Sequence, residues 1–331
     1  MNAQRVPKWL VPALGYSVSA ASLLWVFWKF PWSQLGDHFR TLEWNWVALG
    51  VLLELGVYWI DAWRWRELLR PAGAPSFGCC LQAVFVGLLA NDILPAKAGE
   101  LVRCFLLSYE SAVPLPLALT SELVLRIMDG LWLVIAYLII TWQIATHVDV
   151  TRGMWIFGIG AAVLGALLLY VLFRRHHAHH FVRNTSWAAR FTRLLDEIHR
   201  LGHWPHLRNA MGISALYWLA QVLAIWALTK ADHFDLGLSA ATFVLVVRSV
   251  LTLIPNAPAN MGAYQAAVVY AFMFLFVEKV NAQAFSEIMF GFLTLPVAVG
   301  GGLALVMADI DLFALNRHAR RAKAEADRLP A

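Results

Sequence analysis

The apolar residues of this chain fall in blocks of roughly 20, and this feature limits its fold more than any other. About 20 helical residues rising 1.5 Å each cross a hydrocarbon core about 30 Å thick. Lipid offers the backbone no hydrogen-bond partner, so such blocks must be helices. Six of them have the length of a full span, at about 10–30, 46–63, 116–140, 153–173, 208–229 and 286–307. Charged residues make up only 14% of the chain, against about 25% in a soluble domain. No stretch is large or polar enough to form a soluble enzyme domain. The first block follows Arg5 and Lys8 and could pass for a secretory leader. It is too long for one, and Lys29-Phe30-Pro31-Trp32 follows it rather than a small-x-small cleavage site, so it reads as a retained span. Cys79, Cys80 and Cys104 contain no CxxC, and neither a disulfide framework nor a metal site is expected.

Two further apolar regions are interrupted. Region 77–112 is broken by the run from Asn91 to Glu100, which includes Pro95 and Gly99. Region 239–279 is broken by the run from Pro255 to Gly262, which includes Pro258. Proline removes a helical donor and clashes with the preceding turn, so neither region is one continuous helix. Lys and Arg set the orientation. They are concentrated in the N-terminus, after the second span (Arg64, Arg66, Arg70), in the basic loop 174–207 and in the tail 311–331. These segments are expected on the cytoplasmic side of a bacterial inner membrane, with both termini cytoplasmic. Loops 31–45, 141–152 and 230–238 are then periplasmic. Each broken region must begin and end on one side. The charge rule does not separate a re-entrant hairpin from two short crossings. Glu100, Arg103 and Glu110 make the second limb of region 77–112 poor lipid-facing material, which favours re-entrant hairpins.

The expected fold is an all-α polytopic membrane protein, a single domain over 1–331, with about six spans and two re-entrant broken-helix hairpins. Both hairpins carry Pro-Ala-x-x-Gly at matched positions, Pro95 to Gly99 and Pro258 to Gly262. The halves, about 1–145 and 150–310, therefore read as an inverted repeat, a pattern that places substrate between broken helices near the bilayer midplane. Within the basic loop, residues 183–201 have the spacing of an interfacial helix.

Charged side chains at membrane depth are costly, about 2.5–3.5 kcal/mol each on insertion scales, and need a reason to be there. Glu122, Arg126 and Asp129 share one helix face, with Glu122 and Arg126 spaced to pair. Self-neutralisation is one reading, and an Arg126 facing a polar cavity is the other. Glu54, Asp61 and Arg64 could share a face near a cytoplasmic end, where snorkelling is the simpler account. Asn91, Asp92, Lys97, Glu100 and Arg103 surround the first interruption. Arg248, Asn260, Tyr264 and Gln265 surround the second. Arg248 lies in an apolar stretch with no carboxylate near it in sequence. It is expected to meet either a carboxylate from the other half or a ligand phosphate. His176, His177, His179 and His180 read as a surface cluster in a basic loop rather than a metal site. No phosphate-binding loop, GxSxG or HExxH motif is present.

The runs NDILPAKAGELVR, ALTSELVLRIMDGLW and LIPNAPANMGAYQAA resemble the lysylphosphatidylglycerol synthase transmembrane family, also called flippase-like or UPF0104 proteins. The resemblance covers nearly the whole chain. It implies a membrane domain that moves a lipid between leaflets: aminoacylated phosphatidylglycerol in some relatives, hopanoids or glycolipids in the pathways of others. It places Asn91, Pro95, Gly99, Glu100 and Arg103 in the first re-entrant element, and Glu122, Arg126 and Asp129 in the charged helix. Arg248, Pro255, Pro258, Gly262, Tyr264 and Gln265 fall in the second element. Full-length synthases add a soluble aminoacyltransferase domain. This sequence ends soon after its last span, so a stand-alone membrane domain without the aminoacyltransferase domain is expected, and synthase activity is not inferred. The function expected is translocation of a polar or anionic lipid, with no cofactor and no nucleic acid. Two alternatives stand beside it: a lipid-headgroup enzyme using Glu100 or Asp129, and a non-transporting partner in a cell-envelope pathway. Homo-oligomerisation is left open.

Overall fold

The computed structural model describes residues 10–28, 32–94, 98–141, 204–253 and 257–307, and their regular structure is entirely helical. Ten α-helices follow in order: α1 (Leu10–Phe27), α2 (Trp32–Thr41), α3 (Trp44–Leu69), α4 (Phe77–Ile93), α5 (Gly99–Glu110), α6 (Leu115–Thr141), α7 (Trp204–Ala231), α8 (Leu238–Leu251), α9 (Ala263–Phe274) and α10 (Lys279–Met307). Short 3-10 turns at Arg70–Ala72 and Pro258–Asn260 complete the set.

Four helices are long and apolar enough to cross a membrane: α3 with its 3-10 extension, α6, α7 and α10. They coincide with the expected spans at 46–63, 116–140, 208–229 and 286–307, each longer than anticipated because polar residues continue the helices beyond the apolar blocks. The first expected span is the 18-residue α1. The expected span 153–173, the basic loop 174–207 with its interfacial helix and histidine cluster, and the tail 311–331 lie outside the described residues.

The long helices α3 and α7 pack along each other and form the spine of the molecule. Around them the interrupted regions fold as helical hairpins. Asn91 meets Gly99, Gly87 meets Arg103, and Cys79 meets Glu110, so α4 and α5 run antiparallel. Phe243 stacks near Phe274 with ring centroids 4.9 Å apart, and Arg248 faces Tyr264, so α8 and α9 do the same. The first limb of each hairpin also touches the last long helix of the other half: α4 packs on α10 and α8 on α6. Two apolar clusters fill the spaces. One is built on Trp65, Leu68, Leu106 and Leu125, the other on Phe243, Phe272 and Phe285. Phe272 and Phe285 stand 4.7 Å apart, with Phe234 at 5.3 Å from each. Among helices in lipid such packing contributes through close contact rather than water exclusion, since the tails are equally apolar.

The glycines of the two Pro-Ala-x-x-Gly runs explain why the hairpins close as they do. A methyl group on Gly99 would lie 2.0 Å from the Gly87 carbonyl oxygen and 2.7 Å from Asn91, so the limbs touch backbone to backbone there. Gly262 has φ +85°, and a methyl group on it would lie 2.4 Å from the carbonyl oxygen of Ser19 in α1. In each hairpin the glycine N–H donates to a side-chain amide oxygen: Gly99 to Asn91 Oδ1 at 2.9 Å and Gly262 to Gln265 Oε1 at 2.7 Å. These bonds satisfy donors that a helix start leaves free. The tip of the second hairpin is further tied to α1 by the Ala257 N–H, which donates to Ser19 Oγ at 2.8 Å.

Candidate functional site: a charged chamber between two hairpins

The turn at Pro258–Asn260 packs against α4, so the two hairpin tips meet. Ala259 and Asn260 both take left-handed backbone conformations there, with φ of +56° and +55°. Such conformations persist only where the surroundings enforce them, and for alanine the cost is of order 1–3 kcal/mol. Two cavities flank the meeting point. Leu88, Tyr217 and Asn260 line both of them and form the wall between.

The larger cavity, about 240 Å³, is lined by Glu54, Tyr58, Asp92, Gln221, Arg248 and Tyr264 among others. Arg248 donates to Gln221 Oε1 at 3.1 Å and sits 5.7 Å from the centroid of the Tyr264 ring. Among the described residues no carboxylate comes within ion-pairing distance of it. Glu54, from the other half of the chain, lines the same cavity and acts on Arg248 through its field. Glu54 instead approaches Tyr58 Oη at 2.7 Å, which in turn lies 3.2 Å from the Leu293 carbonyl oxygen. Asp92 Oδ2 is buried and has no hydrogen-bond partner, while Tyr264 Oη lies beside the Arg248 guanidinium. Buried polar atoms are nearly always paired, so an orphaned carboxylate oxygen and a guanidinium held only by neutral groups mark a place where a polar ligand would be welcome.

The second cavity, about 170 Å³, is bounded by Asp61, Arg64, Asn91, Glu100, Arg103 and Arg126 among others. Here the charges are matched. Asp61 accepts from Arg64 Nε at 2.7 Å and from Arg103 Nη1 at 3.1 Å. Arg64 also donates from both terminal nitrogens to Asp129, the longer contact being 3.1 Å, and Arg103 donates to Glu122. Arg126 reaches Glu100 at 3.0 Å and Glu122 at 3.1 Å. Aromatic faces stack on two of these guanidiniums, Tyr217 at 3.9 Å from Arg64 and Trp65 at 4.8 Å from Arg103, whose buried Nε has no hydrogen-bond partner. Arg64 is 2% exposed and Arg103 is 4% exposed, whereas nearly half of the Arg126 side chain is accessible and borders the cavity.

The candidates read from sequence therefore divide. Arg248, Asn260 and Tyr264 line the first cavity; Asn91, Glu100, Arg103, Arg126 and Asn260 line the second. Glu122 and Asp129 stand behind them as partners of the arginines. Both readings of Arg126 hold at once, since it is paired and it faces a cavity. Gln265 is buried, with its amide oxygen accepting from the Gly262 N–H and a further hydrogen bond to Glu287. Lys97, Pro95 and Pro255 lie outside the described residues. The snorkelling account of Asp61 and Arg64 is overturned. Both are buried and bridged to α5 and α6, because their partners lie on other helices. Tyr58, Tyr217 and Gln221 were not foreseen. A signal existed: Glu54–Tyr58 and Tyr217–Gln221 are both polar i, i+4 pairs within apolar helices.

This arrangement defines a multi-pass α-helical membrane protein with a polar chamber buried among its helices. Residues 13–301 match the family described as Lysylphosphatidylglycerol synthase TM region, and the chain belongs to that family. A UPF0104 membrane protein of Methanothermobacter thermautotrophicus is 30% identical over 120 residues, which are 33% of this chain and 34% of the relative. The chain thus spans about a third of the length of that relative in the matched region. No solved structure matches it. The family is a membrane family linked to lipid biosynthesis or transport.

Proposed function

We propose that the protein is a lipid translocator of the bacterial inner membrane, moving a polar or anionic lipid between leaflets. The observation that carries this reading is the cavity around Arg248, where a half-buried guanidinium without a carboxylate partner shares the lining with an orphaned carboxylate oxygen of Asp92. A phosphate oxygen is the natural acceptor for a guanidinium held in this way. The acyl chains would remain in the bilayer while the headgroup occupies the chamber.

The hairpins support the same reading. Their limbs have 17, 12, 14 and 12 residues, or about 25, 18, 21 and 18 Å at 1.5 Å per residue. All are shorter than the roughly 30 Å core. We take them as re-entrant elements entering from opposite sides, each half supplying long helices and one hairpin in an inverted repeat. The reciprocal packing of α4 on α10 and α8 on α6 fits an exchange related by a twofold axis in the membrane plane. Rocking of one half against the other would open the chamber to each leaflet in turn. Glu100 and Asp129, the acid/base candidates of the enzyme reading, are both engaged by arginines, which favours transport over chemistry.

The test is a reconstituted vesicle assay with fluorescent phosphatidylglycerol, aminoacylated phosphatidylglycerol and a glycolipid, read by quenching of the outer leaflet. Wild-type protein is expected to expose inner-leaflet label well above empty vesicles for at least one of these. Arg248→Gln is expected to reduce that rate about tenfold or more, the equivalent of losing one charge-assisted bond of about 1.5–3 kcal/mol. Wild-type rates equal to empty vesicles for all three lipids would refute the proposal.

A further inference from the structure

The larger cavity is lined by more carboxylates than cations among the described residues. Among the described residues Arg248 is the one cation lining the larger cavity, while Glu54 and Asp92 both line it. Asp92 also lies in the last turn of α4 (Phe77–Ile93), where the helix dipole already presents its negative end. An anionic phosphate entering beside two ionised carboxylates would place three negative charges around one guanidinium in a water-poor site, which is strongly unfavourable. At least one carboxylate must be neutral when the headgroup is bound.

The hydrogen bonds identify which one. Tyr58 Oη has one proton and lies between two acceptors, Glu54 Oε1 at 2.7 Å and the Leu293 carbonyl oxygen at 3.2 Å. It cannot donate to both. With a proton on Glu54, the carboxylic acid donates to Tyr58 Oη and Tyr58 donates to Leu293, and every group in the chain is satisfied. Without it, Glu54 accepts from Tyr58 and balances the charge of Arg248 across the cavity. The ionisable groups of the elements packed around Glu54 fit this alternation. Arg248 from α8 is the single unmatched cation. Asp92 from α4 adds negative charge, and Tyr217 from α7 and Tyr264 from α9 are neutral. Glu287 of α10 acts on Tyr264. Asp61 and Arg64, farther along α3, and Glu122, Arg126 and Asp129 of α6 close their own network through Arg103.

We infer, building on the translocator reading, that Glu54 takes up a proton when an anionic headgroup occupies Arg248, so that lipid and proton cross together. The step is balanced: one H⁺ from the entry side bonds to a Glu54 carboxylate oxygen as the phosphate replaces that carboxylate as counter-ion to Arg248. On the exit side the headgroup leaves and Glu54 releases the proton. The pair is electroneutral for a monoanionic lipid.

Vesicles containing the full-length protein and labelled phosphatidylglycerol, with one pH unit imposed across the membrane, test this. One-to-one coupling predicts about tenfold enrichment of label in the leaflet facing the alkaline side, since one pH unit is a tenfold ratio of proton activity. Clamping the membrane potential should leave that ratio unchanged. Glu54→Gln should abolish the enrichment and Glu54→Asp should retain it. Should Glu54→Gln translocate too slowly to read, calorimetry of phosphatidylglycerol binding in buffers of different ionisation enthalpy decides. About one proton should be taken up per lipid by the wild type and none by Glu54→Gln. Active wild-type translocation without enrichment, enrichment driven by a sodium gradient instead, or equal proton uptake by both proteins would overturn the coupling while leaving translocation standing. Absence of wild-type translocation under every gradient would overturn the translocator reading itself, and the coupling with it.

Discussion

Asp61→Asn separates the scaffold of the charged chamber from its decoration. Asp61 holds two guanidiniums at once, through Oδ1 to Arg64 Nε at 2.7 Å and through Oδ2 to Arg103 Nη1 at 3.1 Å. Asparagine keeps one acceptor and turns an NH₂ group toward the other arginine, setting donor against donor. Removing one partner of a buried ion pair costs about 3–5 kcal/mol. Arg64 keeps Asp129 and Arg103 keeps Glu122, so the low end applies, about 3 kcal/mol. At about 2 °C per kcal/mol, the lower end of the range for larger domains, the midpoint of thermal unfolding should fall by roughly 6 °C. Asp37→Asn is the matched control. Its contact to Arg40 is 3.9 Å long with both side chains more than two-thirds exposed, and an exposed pair contributes between nothing and about 1 kcal/mol. The assay is thermal unfolding of both variants in the same detergent, followed by tryptophan fluorescence. Equal midpoints for Asp61→Asn and Asp37→Asn would refute the claim that the arginine network is structural.

Two further outcomes follow from the packing. Gly99→Ala forces the limbs of the first hairpin apart, because the added methyl would lie 2.0 Å from the Gly87 carbonyl oxygen. A loss of about 3 kcal/mol or more is expected, measured against Gly302→Ala, where nothing lies within 4 Å. His38→Ala should loosen α2, since His38 Nδ1 lies 2.7 and 2.9 Å from the two oxygens of Asp232, whose side chain is almost fully buried. Amide exchange across residues 32–41 should accelerate several-fold, while exchange in α3 stays unchanged.

What could be read from sequence depended on how far apart the interacting residues lie. The long helices were legible because lipid forces every 20-residue apolar block to be helical. The interruptions were legible because proline cannot sit unnoticed inside a helix. The Glu122–Arg126 pair was legible because its partners are four residues apart. Asp61 and Arg64 were misread because their partners are distant: Arg103 lies 42 residues beyond Asp61, and Asp129 lies 65 residues beyond Arg64. Position near a helix end then made snorkelling the economical account. Asn91 and Gln265 pointed toward ligand contacts on residue type alone. The structure uses their amide oxygens to hold the glycine N–H groups at the hairpin tips, a role set by backbone geometry that residue type does not reveal. Arg248 was singled out for lacking a carboxylate nearby in sequence, and that lack persists in three dimensions.

The contrast between the arginines gives the chamber its logic. Arg64 and Arg103 are each fixed by two carboxylates and an aromatic face, so a headgroup would have to break strong contacts to reach them. Arg248 gives up only neutral partners, the Gln221 amide and Tyr264. Binding energy available to a phosphate is the difference between what it offers and what it displaces, so the weaker incumbent defines the better site. Arg126 falls between these cases: paired at 3.0 and 3.1 Å, yet nearly half accessible on the other side of the wall formed by Leu88, Tyr217 and Asn260. A headgroup passing that wall leaves one guanidinium and meets another. Asn260 belongs to the wall and sits in the left-handed turn where the second hairpin touches α4. In the translocation reading, a displacement of that turn would move Asn260 out of the wall while leaving in place the matched arginines that link α3, α5 and α6.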